Sequence, residues 1–185
     1  MHRIFLGLAV TNGTLLATST AFGFLASAEP NAPNASWHNL HFLLGLLTAM
    51  TTLLVHGIAF TYFLGTGRWV KEVVAVYKMP EWIYAQAVRN KRRAFPFEFG
   101  GMVLIGAAAW TGGGTDAQGW PAAWHLGASA AALAFNLGAY VLEYAAIVAQ
   151  ARLLLEVKDR ADRQREALYA TKAAVGDPGP GPDLT

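Results

Sequence analysis

Four long stretches of the chain are apolar almost throughout, and the polar residues within them recur at helical rather than alternating spacing. A bilayer core about 30 Å thick needs about 20 such residues per helix. The pattern therefore predicts four membrane-spanning helices, over residues 4–27, 37–65, 96–111 and 120–155. Turn residues separate them. Residues 29–36 (EPNAPNAS) and 112–116 (GGGTD) read as short loops, with Ser36 an N-cap for the second span. Pro121 stands where proline suits a first helical turn. Ala26-Ser27-Ala28 has the small-residue form of a signal-peptide cleavage site. The apolar stretch before it is longer than the roughly 7–15 residues of a signal peptide. It also carries Thr11, Asn12, Thr14 and Thr18, so it reads as a span inside a bundle. The glycosylation sequon at Asn34 reads as incidental in so short a loop.

Residues 68–93, between the second and third spans, follow a different pattern. Val70, Val73, Val74 and Tyr77 recur at helical spacing beside Lys71 and Lys78, which predicts an amphipathic cytoplasmic helix lying on the membrane surface. Pro80 ends it, Trp82, Ile83 and Tyr84 dip among the headgroups, and Asn90 to Arg93 meet anionic lipid rather than nucleic acid. Beyond the fourth span, Glu156/Arg160 and Asp159/Arg163 support a helix continuing into solvent, while Asp162/Glu166 opposes it. Residues 176–185 (GDPGPGPDLT) read as a disordered tail. No internal repeat is evident in the letters. The fold class expected is all-α: an integral membrane four-helix bundle forming one domain over residues 1–175.

Composition agrees, with 54% hydrophobic residues, 14% charged and a mean hydropathy of +0.31, against roughly 25% charged in soluble domains. The absence of cysteine excludes disulfides, thiolate metal sites and thiol nucleophiles. The net charge of +2 conceals a sorting. Apart from Arg3, the other 13 Lys and Arg residues lie within 68–93 or after residue 151, and both short loops lack them. By the positive-inside rule the termini and the middle segment face the cytoplasm, and the bilayer is a cell (inner) membrane. Trp37, Trp120 and Trp124 then fall at the outer interface and Trp69 at the inner one.

Ionisable side chains inside a membrane are costly, so each is a functional candidate. They are His38, His41 and His56 on the second span, Glu98 on the third, and His125 and Glu143 on the fourth. His38 to His56 and His125 to Glu143 are both 18 residues, about five turns, so each pair shares a face of its own helix. Two polar levels result, roughly 27 Å apart by helical rise. At the outer level, His41 (or His38) facing His125 is the arrangement for a bis-histidine haem b. Gly45, Gly127 and Ala128 would leave room for a flat macrocycle. A zinc or copper ion is the alternative there, and interfacial hydrogen bonding the plain structural one. At the inner level His56, Glu98 and Glu143, near Tyr62, Tyr140 and Tyr144, would bind a second metal ion, relay protons or hold a quinone headgroup. The structural alternative is a His–Glu pair stapling helices together. Asn136 lies on the same face as His125 and Glu143 and reads as interhelical glue.

The function expected is a small cytochrome-b-like redox protein, partnered in the membrane by other redox subunits. A structural subunit of a membrane complex and a metal-dependent membrane enzyme or transporter are the alternatives. No phosphate-binding loop, dinucleotide fingerprint, His-Glu-x-x-His or nucleophile elbow occurs. Residues 60–74 (FTYFLGTGRWVKEVV) look like a motif to which no mechanism attaches.

Overall fold

A computed structural model describes residues 1–28 and 36–174. The first short loop with its sequon, the Ser36 side chain and the C-terminal tail lie outside the described residues. Four helices make up the rest: α1 (His2–Ala28), α2 (Ser36–Val76), α3 (Trp82–Gln118) and α4 (Ala122–Ala174). All four are long and apolar enough to cross a membrane. The surface supports the same reading. Leu43, Met50, Val103, Trp110 and Val141 are more than half exposed, while Asn12, Thr52, His56, Glu98, Asn136 and Glu143 are buried. A bundle with polar groups inside and large apolar side chains outside suits lipid as solvent.

The helices run alternately up and down, α1 and α3 in one sense and α2 and α4 in the other. Each helix contacts its sequence neighbours, α1 closes the ring against α4, and α2 touches α4 across the middle, whereas α1 and α3 do not meet. The core is therefore a rhombus whose short diagonal joins α2 to α4.

Two expected loop regions are read differently by the structure, each for a packing reason. No separate surface helix lies between the second and third spans. Instead α2 runs unbroken to Val76, and α3 begins at Trp82 and continues straight through Pro96. Val70, Val74, Met79, Ile83, Ala87, Leu153 and Val157 form a second apolar core. The valines that read as a membrane-facing stripe are buried against α3 and α4. Ile83 is fully buried there, and Trp82 lies under the Arg160 guanidinium at 5.6 Å. Ile83 is thus held by protein, while Trp82 stays half exposed. The sharp turn is a Schellman motif: Met79 N–H bonds to Val74 C=O, Lys78 N–H to Ala75 C=O, and Lys78 takes φ 49°. Residues 112–116 are helical, not a loop. Gly112 and Gly114 lie under the His125 and Trp120 rings, so these glycines admit close packing. The real stop is Gly119, left-handed at φ 67°. Finally α4, at 53 residues, is about 80 Å long. It outruns any bilayer core and ends in the solvated pairs Arg160–Glu156 and Lys158–Asp162.

The burial pattern contains a repeat that the letters conceal. A shift of 89 residues carries the buried Phe5, Ala9, Asn12, Leu16 and Ser19 of α1 onto the buried Ala94, Glu98, Gly101, Ile105 and Ala108 of α3. A shift of 84 carries Thr48, Thr52, Val55, His56 and Ala59 of α2 onto Ala132, Asn136, Ala139, Tyr140 and Glu143 of α4. The hairpins α1–α2 and α3–α4 are thus related by an approximate twofold axis along the bundle. Parallel repeats about the membrane normal have this form.

Candidate functional site

The twofold axis passes between α2 and α4, and the candidate residues sit on it. His41 and His125 are equivalent under the 84-residue shift, and they meet: their ring centroids are 5.8 Å apart at 63°. Each ring is fixed in the same way. Nδ1 of His41 lies 3.0 Å from the Ser19 carbonyl on α1, and Nδ1 of His125 lies 3.0 Å from the Ala108 carbonyl on α3. A backbone carbonyl only accepts, so each Nδ1 carries the proton and each Nε2 presents its lone pair. One turn on, Gly23 and Gly112 leave space for the rings; a Cβ at either would come within 2.9 Å of the imidazole Cε1. Both rings are only half-buried.

Of the other residues expected at this level, His38 lies at the rim, exposed and 3.6 Å from Asp116. The structure takes His41, not His38, to His125. Gly45 faces the Ser19 hydroxyl and Gly127 faces open space, so neither makes room between the rings.

The next equivalent pair on the axis is His56 and Tyr140, stacked at 5.2 Å. Their surroundings repeat with altered chemistry. The Tyr140 hydroxyl donates to Asn12 Oδ1, which also accepts from Thr52 at 3.0 Å. The Asn12 amide donates to Thr51 at 2.6 Å. In the other half, Nε2 of His56 lies 2.7 Å from Asn136 Oδ1, and the Asn136 amide donates back to Ala132 C=O. With that amide committed, its Oδ1 accepts, so His56 Nε2 carries a proton. The place equivalent to Asn12 is Gly101, where a Cβ would collide with His56 Nε2 and Asn136 Oδ1. Glycine there admits the imidazole.

Nδ1 of His56 is 2.8 Å from Glu143 Oε1, both side chains fully buried. The contact is close enough for an ion pair but off the line of a regular hydrogen bond, and neither Glu143 oxygen has such a bond. Glu98 on α3 is also fully buried, both its oxygens lack partners, and it lies within Coulombic reach of His56 and Glu143. The three residues expected at the inner level are thus together. Among the described residues, however, no three His, Asp or Glu side chains are arranged to hold a metal ion, and His56 Nε2 is already bonded to Asn136. Of the expected tyrosines, Tyr140 joins the cluster, Tyr62 is half-buried with its hydroxyl unpartnered, and Tyr144 is half-buried beside the main core.

A further buried level holds Asn90, which does not meet lipid headgroups as its sequence position suggests. Asn90 of α3 donates to Gln150 Oε1 at 3.1 Å, and Gln150 donates to Thr66 at 3.2 Å. Gln150 follows Glu143 by seven residues, as Glu143 follows Asn136, so the polar line of α4 runs one step further than the charged residues alone suggested. Buried amides, a hydroxyl, an imidazole and two carboxylates thereby line the α2–α4 diagonal from the paired histidines toward the basic end.

Comparison with family models, with characterised proteins and with solved structures finds no match to this chain.

Proposed function

We propose that this protein is a small cytochrome-b-like redox protein of the cell membrane, in which His41 and His125 hold one haem b between α2 and α4. The His41–His125 pair carries the reading. Two imidazoles that held one metal ion would have ring centres roughly 6 Å apart, and those of His41 and His125 are 5.8 Å apart. A ligating histidine characteristically gives its other N–H to a carbonyl, and both rings do so. Neither Nε2 has a hydrogen-bond partner among the described residues. The rings come from opposite helices of a bundle, as a group ligated on both faces requires. The rings also stay half-buried whereas His56, one level further in, is sealed. Bound there, haem supplies one-electron chemistry. The chain holds the tautomer and spacing of both ligands. Beneath them His56, Glu143 and Glu98 hold the proton that balances a change of charge in low dielectric.

By the sorting of basic residues, the paired histidines lie toward the outer face and both termini lie in the cytoplasm. A single haem in so small a chain passes electrons to or from another membrane redox subunit. A structural subunit is the second reading, favoured by the same Nδ1–carbonyl bonds, which also staple α1 to α2 and α3 to α4.

The absorbance of the purified protein separates them. The expected result is a Soret band lost in His41→Ala and in His125→Ala and retained in His38→Ala. Colourless protein whose histidine variants melt like the parent would leave the structural reading.

A further inference from the structure

At the basic end, α2 and α3 diverge to form a cavity of about 220 Å³. Its rim is cationic from both sides: Arg68 and Lys71 on α2, Lys91 on α3, with Tyr84 beside them. Its floor is apolar, made by Phe63 and Ala87, both buried. Gly67 also lines it, facing open space. Glu72 contacts Arg68 at 2.9 Å and offsets one of the three cations, leaving an excess of positive charge over the opening.

We infer that this cavity binds the headgroup of an anionic phospholipid, with its acyl chains lying along the α2–α3 seam. At about 220 Å³ the cavity has room for a phosphodiester. Lysine and arginine lining one cavity favour a phosphate group. The seam identifies the phosphate as a lipid's. Toward the bundle centre it continues as Phe60, Phe95 and Phe99, with Phe60 and Phe95 stacked at 4.9 Å and Phe99 half exposed. Lys91 links the two regions, its ammonium 5.4 Å from the centre of the Phe95 ring. A ligand at the mouth thus meets cations at one end and an exposed aromatic track at the other. Basic pockets between helices at the headgroup level recognise such lipids. The inference is independent of the haem reading.

The test uses the full chain, delipidated in neutral detergent, with thermal unfolding followed on titration with phosphatidylglycerol, phosphatidylcholine of the same chains, or inorganic phosphate. Phosphatidylglycerol should raise Tm, and phosphatidylcholine and phosphate should not. Arg68→Gln/Lys71→Gln/Lys91→Gln should weaken the apparent affinity at least about tenfold. Arg163→Gln/Arg165→Gln, which removes charge from the α4 extension, should leave it unchanged. Those target side chains are all at the surface or half-buried, so the variants should fold. An equal shift with phosphate would make the cavity a plain anion site and overturn the lipid assignment. An undiminished response in the triple variant, or an equal loss in the α4 variant, would reduce the attraction to diffuse charge and overturn the site altogether.

Discussion

Gly23 and Gly112 occupy equivalent places in the two hairpins, each against the imidazole of the next helix. Alanine at either position gains about 0.5–1 kcal/mol of backbone entropy in a helix. The added methyl, 2.9 Å from Cε1, has to push the ring off its carbonyl, and overpacking of this kind costs about 1–3 kcal/mol. The cost exceeds the gain because each ring is held by a hydrogen bond that cannot follow it. Gly23→Ala and Gly112→Ala should therefore each lower stability by about 1–2 kcal/mol in reversible detergent unfolding, and should weaken or abolish any Soret band. Gly127→Ala, facing open space on the helix that carries His125, should be neutral or slightly stabilising. If Gly112→Ala melted like Gly127→Ala, the His125 ring would not be seated as described.

Among the elements, the turn between α2 and α3 is the most strained. Lys78 is the only non-glycine with positive φ among the described residues, and a side chain in that conformation costs roughly 1–2 kcal/mol. Lys78→Gly removes that cost and adds unfolded-state freedom worth less, so it should stabilise the protein by about 0.5–1 kcal/mol, read as a rise in Tm. An unchanged or lower Tm would mean that the lysine makes a compensating contact. This turn also marks where the chain's pattern misleads. Hydropathy finds the membrane-buried part of each helix, because lipid imposes its own requirement on every residue there. It does not identify the parts of α2, α3 and α4 that pack on one another in the second core. There, Val70, Val74 and Ile83 are buried by protein, and their basic neighbours read as interface. Gly112–Gly114 misled for a related reason: glycine signals a turn in isolation, but in a bundle it also marks close approach. The site was more legible. His41, His56, His125, Glu98 and Glu143 stood out because ionisable groups are rare in apolar spans, and the structure brings His41 to His125 and His56 to Glu143. Gln150 carries no charge and does not stand out, although it continues the seven-residue spacing, and Asn90, expected among the lipid headgroups, is instead buried against it.

For the whole molecule, the approximate twofold axis explains why chemistry gathers on one diagonal. A residue on such an axis meets its own equivalent, so one histidine position in a repeated hairpin yields a facing pair. The second axial position holds His56 and Tyr140, and Asn12 and Gly101 beside it suit a phenol and an imidazole respectively. An axis along the membrane normal also fixes topology: equivalent ends of the two hairpins must emerge on the same side. The chain's lack of cysteine makes this directly measurable with single-cysteine variants and a membrane-impermeant maleimide. Gln118→Cys, at the exposed end of α3, should be labelled in spheroplasts. Lys78→Cys, at the α2–α3 turn, and Tyr169→Cys, far along α4, should react only after lysis. The opposite pattern would invert the orientation while leaving the axis intact. Labelling of Lys78→Cys and Tyr169→Cys from opposite sides would break it. In that event the α2 turn and the α4 extension could not share the second core of Val74, Ile83 and Leu153, and the bundle itself would be wrong.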